Sequence, residues 1–183
     1  APELAELRLD RLDGRLAASR GPDGLDLSIR GLRLVSGDGL HLAPTDVSLA
    51  LVTGADAGGR LRATRLELAA LAGLAAQLPL PAEVRRRLAA FAPQGEVSDL
   101  RLEWRGEAGA PAGWSLAGRF TGIGLAAEGR RPGMSGLSGA IEGNERSGRF
   151  RLDGRDVGLA LPGVFADGPL TFASLQATGG WER

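Results

Sequence analysis

The side chains able to do chemistry are few and poorly grouped. The single histidine, His41, stands between Leu40 and Leu42, so in an alternating strand its imidazole points to the wet face, away from general-base duty. Cysteine is absent, which removes thiol nucleophiles, disulfides and thiolate metal sites together. A metal centre would have to be all carboxylate, and no run of Asp and Glu has calcium-loop spacing. No catalytic residue, metal or other cofactor is therefore expected.

Two glycine strings imitate known sites. Gly122-Ile-Gly-Leu-Ala-Ala127 matches a dinucleotide fingerprint as letters, but Glu128-Gly-Arg-Arg-Pro-Gly133 follows and cannot open the helix whose N-terminus would hold a pyrophosphate. Gly133-Met-Ser-Gly-Leu-Ser-Gly139 lacks nucleophile-elbow spacing and has no histidine nearby; its glycines suit a strand that bends or packs closely. Arg85 to Arg87 and the pair Arg130-Arg131 are the remaining candidates. A solvated helix face that also complements the helix C-terminus explains the triplet, with phosphate contact as the alternative. Acidic residues equal basic ones at 22 each, so charge names no partner, and nucleic acid is not expected. An enzyme is not the reading these residues support.

The elements that would position these groups are mostly strands. Leu25, Leu27 and Ile29 alternate with Asp26, Ser28 and Arg30, as strands with one dry and one wet face do. Leu7 and Leu9 start the same pattern. The phase slips at Gly31, where a bulge would keep Leu32 and Leu34 on the dry side. Val35-Ser-Gly-Asp-Gly-Leu40 reads as a tight hairpin, and Asp13-Gly14, Asp23-Gly24, Asp153-Gly154 and Asp167-Gly168 offer the same turn chemistry. Arg-Leu-Asp-Gly-Arg occurs at 11–15 and again at 151–155, with no sustained period around it, and is read as recurrent hairpin composition. Short reversals imply an antiparallel sheet, and 43% hydrophobic content in 183 residues can cover a sizeable apolar surface.

Helix intrudes once. In Leu78 to Gly95, Pro81 suits a first turn, Glu83 the positive dipole end, and Pro93 with Gly95 the stop. Val84, Leu88 and Phe91 form one apolar stripe for packing on the sheet. The Ala-rich stretch 69–76 reads as strand end or first helical turn; helix over Leu71 to Gln77 is the preferred reading, giving a helix pair and a helical insertion over about 71–92. The longest apolar run, Leu68 to Ala76, is too short to span a bilayer. The chain opens and closes inside strand-like sequence without an initiator methionine, so 1–183 is read as a segment of a longer protein.

Several motifs in this order resemble the central region of the YhdP branch of the AsmA-like family. They are Leu78-Pro-Leu-Pro with the helix ending Leu88-Ala-Ala-Phe-Ala-Pro93, the strand Gly95 to Trp104, Arg119-Phe-Thr-Gly-Ile-Gly-Leu125, Pro132 to Gly139, Arg155 to Phe165 and the closing Trp181. The resemblance covers about Leu71 to the end; before it only the strand and turn texture is similar. It implies a Gram-negative envelope protein anchored in the inner membrane, whose periplasmic body is a long repeating β-groove moving phospholipid between the two membranes. No catalytic motif comes with it.

A curled antiparallel meander with one dry face must cover that face, and one short helix pair is too small to do so. A curled sheet, a sandwich closing on itself, or an open, taco-like groove holding something apolar would each answer. The groove reading assigns acyl-chain contact to Leu100, Leu102, Trp104, Trp114, Leu116, Phe120, Ile123, Leu125, Phe150, Leu152, Val157, Leu159 and Leu161; ordinary dry core is the alternative for each. The expected partners are phospholipid acyl chains, neighbouring groove segments of the same parent chain and, for the isolated segment, a second copy paired edge to edge. A structural or partner-binding β-module without lipid is the competing function.

Overall fold

The structure, a computed structural model, describes residues 9–37, 39–77, 82–107, 109–129, 131–162 and 168–183, and of Ala76, Ala82 and Val84 the backbone alone. Nine strands form one antiparallel sheet in strict sequence order: β1 Leu9–Gly21, β2 Gly24–Ser36, β3 His41–Val52, β4 Gly58–Glu67, β5 Gln94–Glu107, β6 Ala110–Leu125, β7 Gly133–Asn144, β8 Ser147–Ala160 and β9 Leu170–Glu182. The expected curled meander is what forms, with nine described strands where about ten were expected. Two helices, α1 Leu68–Gln77 and α2 Ala82–Phe91, are inserted between β4 and β5.

The ladder sorts side chains by face. One continuous row of partners runs Ala18, Leu27, Leu49, Leu61, Leu102, Leu116, Gly143, Gly148, Trp181 from β1 to β9. The neighbouring row, one residue along each strand, runs Ala17, Ser28, Ser48, Arg62, Arg101, Ala117, Glu142, Arg149, Gly180 on the opposite face. Directly opposed residues share a face and successive residues do not. The alternation visible along each strand therefore adds up to one apolar and one polar face across the whole sheet.

Bulges interrupt that alternation at matched places. Gly31, Gly122 and Asp156 adopt φ of 62°, 61° and 51°, and after each the apolar face resumes at the next residue, Leu32, Ile123 and Val157. The Gly31 amide donates to Asp46 Oδ1 at 2.7 Å and the Gly122 amide to Ser138 Oγ at 3.0 Å. Side chains of the adjacent strand thus take up amides that the bulges remove from the ladder. On β4 the face resumes at Leu66. Leu32 to Leu66 and Ile123 to Val157 are each 34 residues apart, while Leu66 to Ile123 is 57, and the helix pair lies within the longer interval. A regularity thus exists in the bends although no repeated letters mark it.

Several local expectations need correction. Asp13-Gly14 and Asp153-Gly154 lie inside β1 and β8, so both copies of the Arg-Leu-Asp-Gly-Arg string sit in strands rather than at reversals. In β1 the string meets a register shift at Asp13/Arg15, and in β8 it runs into the bend at Asp156. The β1–β2 turn is made by Pro22-Asp23, with Gly24 already in β2 and without positive φ, so Asp23-Gly24 does not supply the expected turn chemistry; Ser36 to Leu40 closes the β2–β3 turn through the Ser36 amide and the Leu40 carbonyl at 2.9 Å. Asp167 and Leu7 lie outside the described residues. Helix α1 begins at Leu68, three residues earlier than expected. Gly95 belongs to β5, with φ 90° and no room for a side chain, since a Cβ there would lie 2.5 Å from the Gly122 carbonyl oxygen; α2 ends instead at Phe91, followed by left-handed Ala92 at φ 39°. No basic residue occupies the last turn of α2, so the arginine triplet does not complement its C-terminus. Arg86 and Arg87 instead reach back to Glu83, one helical turn away.

Candidate functional site: an uncovered apolar face

The chain exposes 12385 Å², about one and a half times the roughly 8,300 Å² of a compact protein of its mass. Among the described residues only Leu34, Leu42, Ala63, Ala70 and Val157 are buried apolar side chains. A sheet with a second layer would bury most of one face. Here the apolar face is shielded mainly by lateral contact between its own side chains, and at the β1 edge even that fails: Leu12 is 59% and Leu16 68% exposed.

The residues expected to line a groove, Leu161 apart, fall on this one face. Leu102 opposes Leu116 and Trp104 opposes Trp114; Phe120 and Leu152 flank Gly139 from either side; Ile123 opposes Leu137, and Leu125 and Leu159 flank Met134. Leu100 opposes Ala63, Phe150 lies between Ile141 and Gly179, and Val157 opposes Phe172. Leu161 follows the end of β8, half-buried. Val157 differs from the rest in being wholly buried, so it packs the floor and meets no ligand. The sequence reading named groove positions only in the second half of the chain, on β5, β6 and β8 and at Leu161 just after β8. The face continues through Leu27, Ile29, Val47, Leu49 and Leu61 to β1, and through Leu175 and Trp181 on β9, positions whose alternation was equally visible.

Aromatic rings lie over glycines on this face. A Cβ at Gly179 would lie 2.5 Å from Phe150 Cζ, one at Gly139 2.9 Å from Phe120 Cζ, and one at Gly143 2.6 Å from Trp181 Cζ2. Trp104 covers Gly59 in the same way. Glycine leaves room for each ring to lie flat on the backbone, which makes the floor smooth as well as apolar.

The helix pair sits at one end of the strands. Ala70 of α1 packs on Leu34 and Leu42, joined by Leu32, Leu40 and Leu74, and α2 packs on α1. The Phe91 carbonyl accepts the Ala126 amide at 2.8 Å, and the Arg131 guanidinium stacks 5.4 Å from the Phe91 ring. The pair therefore reaches from the β2–β3 turn to the end of β6. Leu88 and Phe91 are half-buried, Leu88 lining a 310 Å³ cleft between the helices with Arg85 and Gly73; the side chain of Val84 lies outside the described residues.

At the other end of the strands the turns are polar. Glu145, in the β7–β8 turn, accepts the Trp114 amide at 3.0 Å, and Asn144 Oδ1 accepts the amides of Arg146 and Ser147 at 2.8 and 2.9 Å. Hydrogen bonds from its own amide and that of Trp114, then the charges of Arg105 and Arg146, hold the Glu145 carboxyl below the usual carboxylate range. Glu83 is held low as well, by its bonds to Arg86 and Arg87.

On the polar face, ion pairs such as Arg60–Glu103 at 2.8 Å and Arg149–Glu142 at 2.9 Å are exposed and contribute little to stability. His41 is exposed and opposes Val35. Among the described residues no three His, Cys, Asp or Glu side chains converge as metal ligands do, and no helix is long and apolar enough to cross a membrane.

Fold and face together define an open, curled, antiparallel β-sheet protein with one apolar face and a helix pair at one end of its strands. The chain belongs to the YhdP family: the description "YhdP protein" matches it over residues 1–183. Among curated proteins and solved structures nothing matches it.

Proposed function

We propose that this chain is one segment of a periplasmic β-groove, part of a parent protein anchored in the inner membrane, that conducts phospholipids between the inner and outer membranes of Gram-negative bacteria. The carrying observation is a nine-strand apolar face over which, among the described residues, only the helix pair lies, at one end of the strands. Eight strand spacings of about 4.8 Å make it roughly 38 Å wide across the strands, wide enough to hold acyl chains along its floor. Leaving so much hydrocarbon in water costs about 25 cal/mol per Å², a cost that acyl chains laid on the face would offset. The groove-lining assignment of Leu100 to Leu161 above, with the buried Val157 as floor beneath it, is part of this reading, and neighbouring groove segments are the partners at the β1 and β9 edges.

Extraction of the purified chain with organic solvent, or native mass spectrometry, tests it. Co-purified phospholipid in proportion to protein is expected; a lipid-free monomer that takes up none from vesicles would favour a structural envelope module.

A further inference from the structure

The polar face of the sheet carries a charge pattern that a lipid groove on the other face does not use. Arg62 on β4 and Arg101 on β5 are directly opposed partners, and so are Arg15 and Arg30 on β1 and β2. Like charges facing each other across a ladder are destabilising. The row nearer the tryptophans has the ordinary arrangement, Arg60 opposing Glu103 and bonding it at 2.8 Å. Farther across the sheet, Arg119 on β6 and Arg151 on β8 flank Ala140 of β7 from either side. Among the described residues neither Arg101 nor Arg151 has an acidic partner, and Arg119 reaches Asp99 only at 3.9 Å.

These side chains wall two clefts that join. One, of about 350 Å³, takes in Arg30, Arg62 and Arg101; the other, of about 720 Å³, takes in Arg101, Arg119, Arg149 and Arg151. Asp46, Asp99 and Glu142 are the acids along them, so six arginines meet three carboxylates in a chain whose net charge is zero. The floor between the guanidinium groups is small, made by Ser28, Ser48, Ala117 and Ala140. From β2 to β8 the band crosses six strand spacings of about 4.8 Å, roughly 29 Å in all.

We infer that this band binds a linear, phosphate-bearing polyanion laid across the strands, on the face opposite the one that meets acyl chains. Guanidinium groups offer the planar fork that phosphate oxygens accept, and an oxyanion between Arg62 and Arg101 offsets the repulsion that their pairing builds in. A chain of phosphates fits better than a flat anionic membrane, because the small floor lies below the arginine heads, where a chain can settle and a bilayer surface cannot. Bases of a nucleic acid would find no ring to stack on, since the aromatic side chains of the described strands lie on the other face. The inference stands apart from the conduit reading and survives its failure.

Calorimetric titration of the full chain with long-chain inorganic polyphosphate and with triphosphate tests it. Polyphosphate is expected to bind at low ionic strength, and more tightly than triphosphate, because several arginines engage one chain. Arg101→Gln with Arg151→Gln breaks no ion pair; it should weaken polyphosphate binding and reduce the slope of log K against log salt by about 1–2. Arg86→Gln with Arg87→Gln removes the same charge from α2, away from the band, and should change neither quantity, circular dichroism verifying the sheet in both variants. No binding of polyphosphate, equal tightness of the two anions, or equal weakening by the two double variants overturns the inference. If the Arg101 and Arg151 changes leave polyphosphate binding intact but abolish attachment to phosphatidylglycerol vesicles, the band addresses a membrane surface and the proposed ligand is wrong.

Discussion

Phe150 on β8 and Gly179 on β9 are opposed partners in the ladder, and the phenyl ring occupies the space that a side chain at 179 would need. The three atoms nearest a Cβ there all belong to Phe150, so the clash is with one ring and not with backbone. Gly179→Val should destabilise the chain by about 1–3 kcal/mol through overpacking. Phe150→Leu in the same chain should recover part of that loss, a non-additivity read from urea midpoints of the four-member cycle. Strict additivity would mean that the ring moves aside freely.

The apolar contact beneath α1 is the nearest approach to a conventional core. Leu42 is 1% exposed and packs with Leu34 and Ala70. Leu42→Ala is expected to cost about 2–5 kcal/mol, whereas Leu12→Ala on the exposed β1 edge should fall within about 0.5 kcal/mol. Denaturation curves of the two variants check the contrast, and equal losses would show the sheet to be covered in solution.

The bends tolerate some residues and not others. At φ 61° Gly122 holds a conformation that β-branched residues resist, and Gly122→Val should cost more than about 1 kcal/mol. Asp156 holds φ 51°, a region in which asparagine is also favoured, so Asp156→Asn should be nearly neutral. Thermal melts of both variants make the comparison.

Protonation should release the β7–β8 turn. Because the Glu145 carboxyl titrates below its ordinary range in the folded chain, its contribution is present above the unfolded-state value and lost as pH falls through the lower folded one. The Trp114 amide proton, bonded to that carboxylate, should therefore shift upfield in an NMR titration with a midpoint below that of a free glutamate. Glu145→Gln should abolish the titration. A midpoint at or above the free value would contradict the hydrogen bond.

The isolated chain should pair through its edges. β1 is exposed along its whole length and carries Leu9, Leu12 and Leu16 at the surface, an unpaired ladder beside apolar side chains. Self-association that weakens in Leu12→Lys with Leu16→Lys is expected by sedimentation velocity. An oligomer indifferent to both changes would place the contact elsewhere.

Much of this was legible without coordinates. The alternation in Leu25-Asp26-Leu27-Ser28-Ile29 fixes which side chains share a face, because the strand period is two wherever the backbone is extended. The phase slip at Gly31 likewise announced its bulge. Short turns dictated antiparallel neighbours, and the Pro- and Ala-rich stretch dictated the helical interruption. The bends at Gly122 and Asp156 were harder to see, because neither lies in an Asp-Gly string: Gly122 stands between Thr121 and Ile123, and Asp156 between Arg155 and Val157.

What the sequence by itself determined is therefore local: strand, turn, helix and the sorting of apolar from polar side chains along each strand. Only the tertiary structure decided that all nine dry faces join into one, that rings and glycines meet across strands, and that helices mark one end of the strands and tryptophans the other. Those relations join residues as distant as Leu27 and Trp181, and they depend on strand register. Register is set by pairing energies summed across neighbouring strands, which no single stretch of sequence contains.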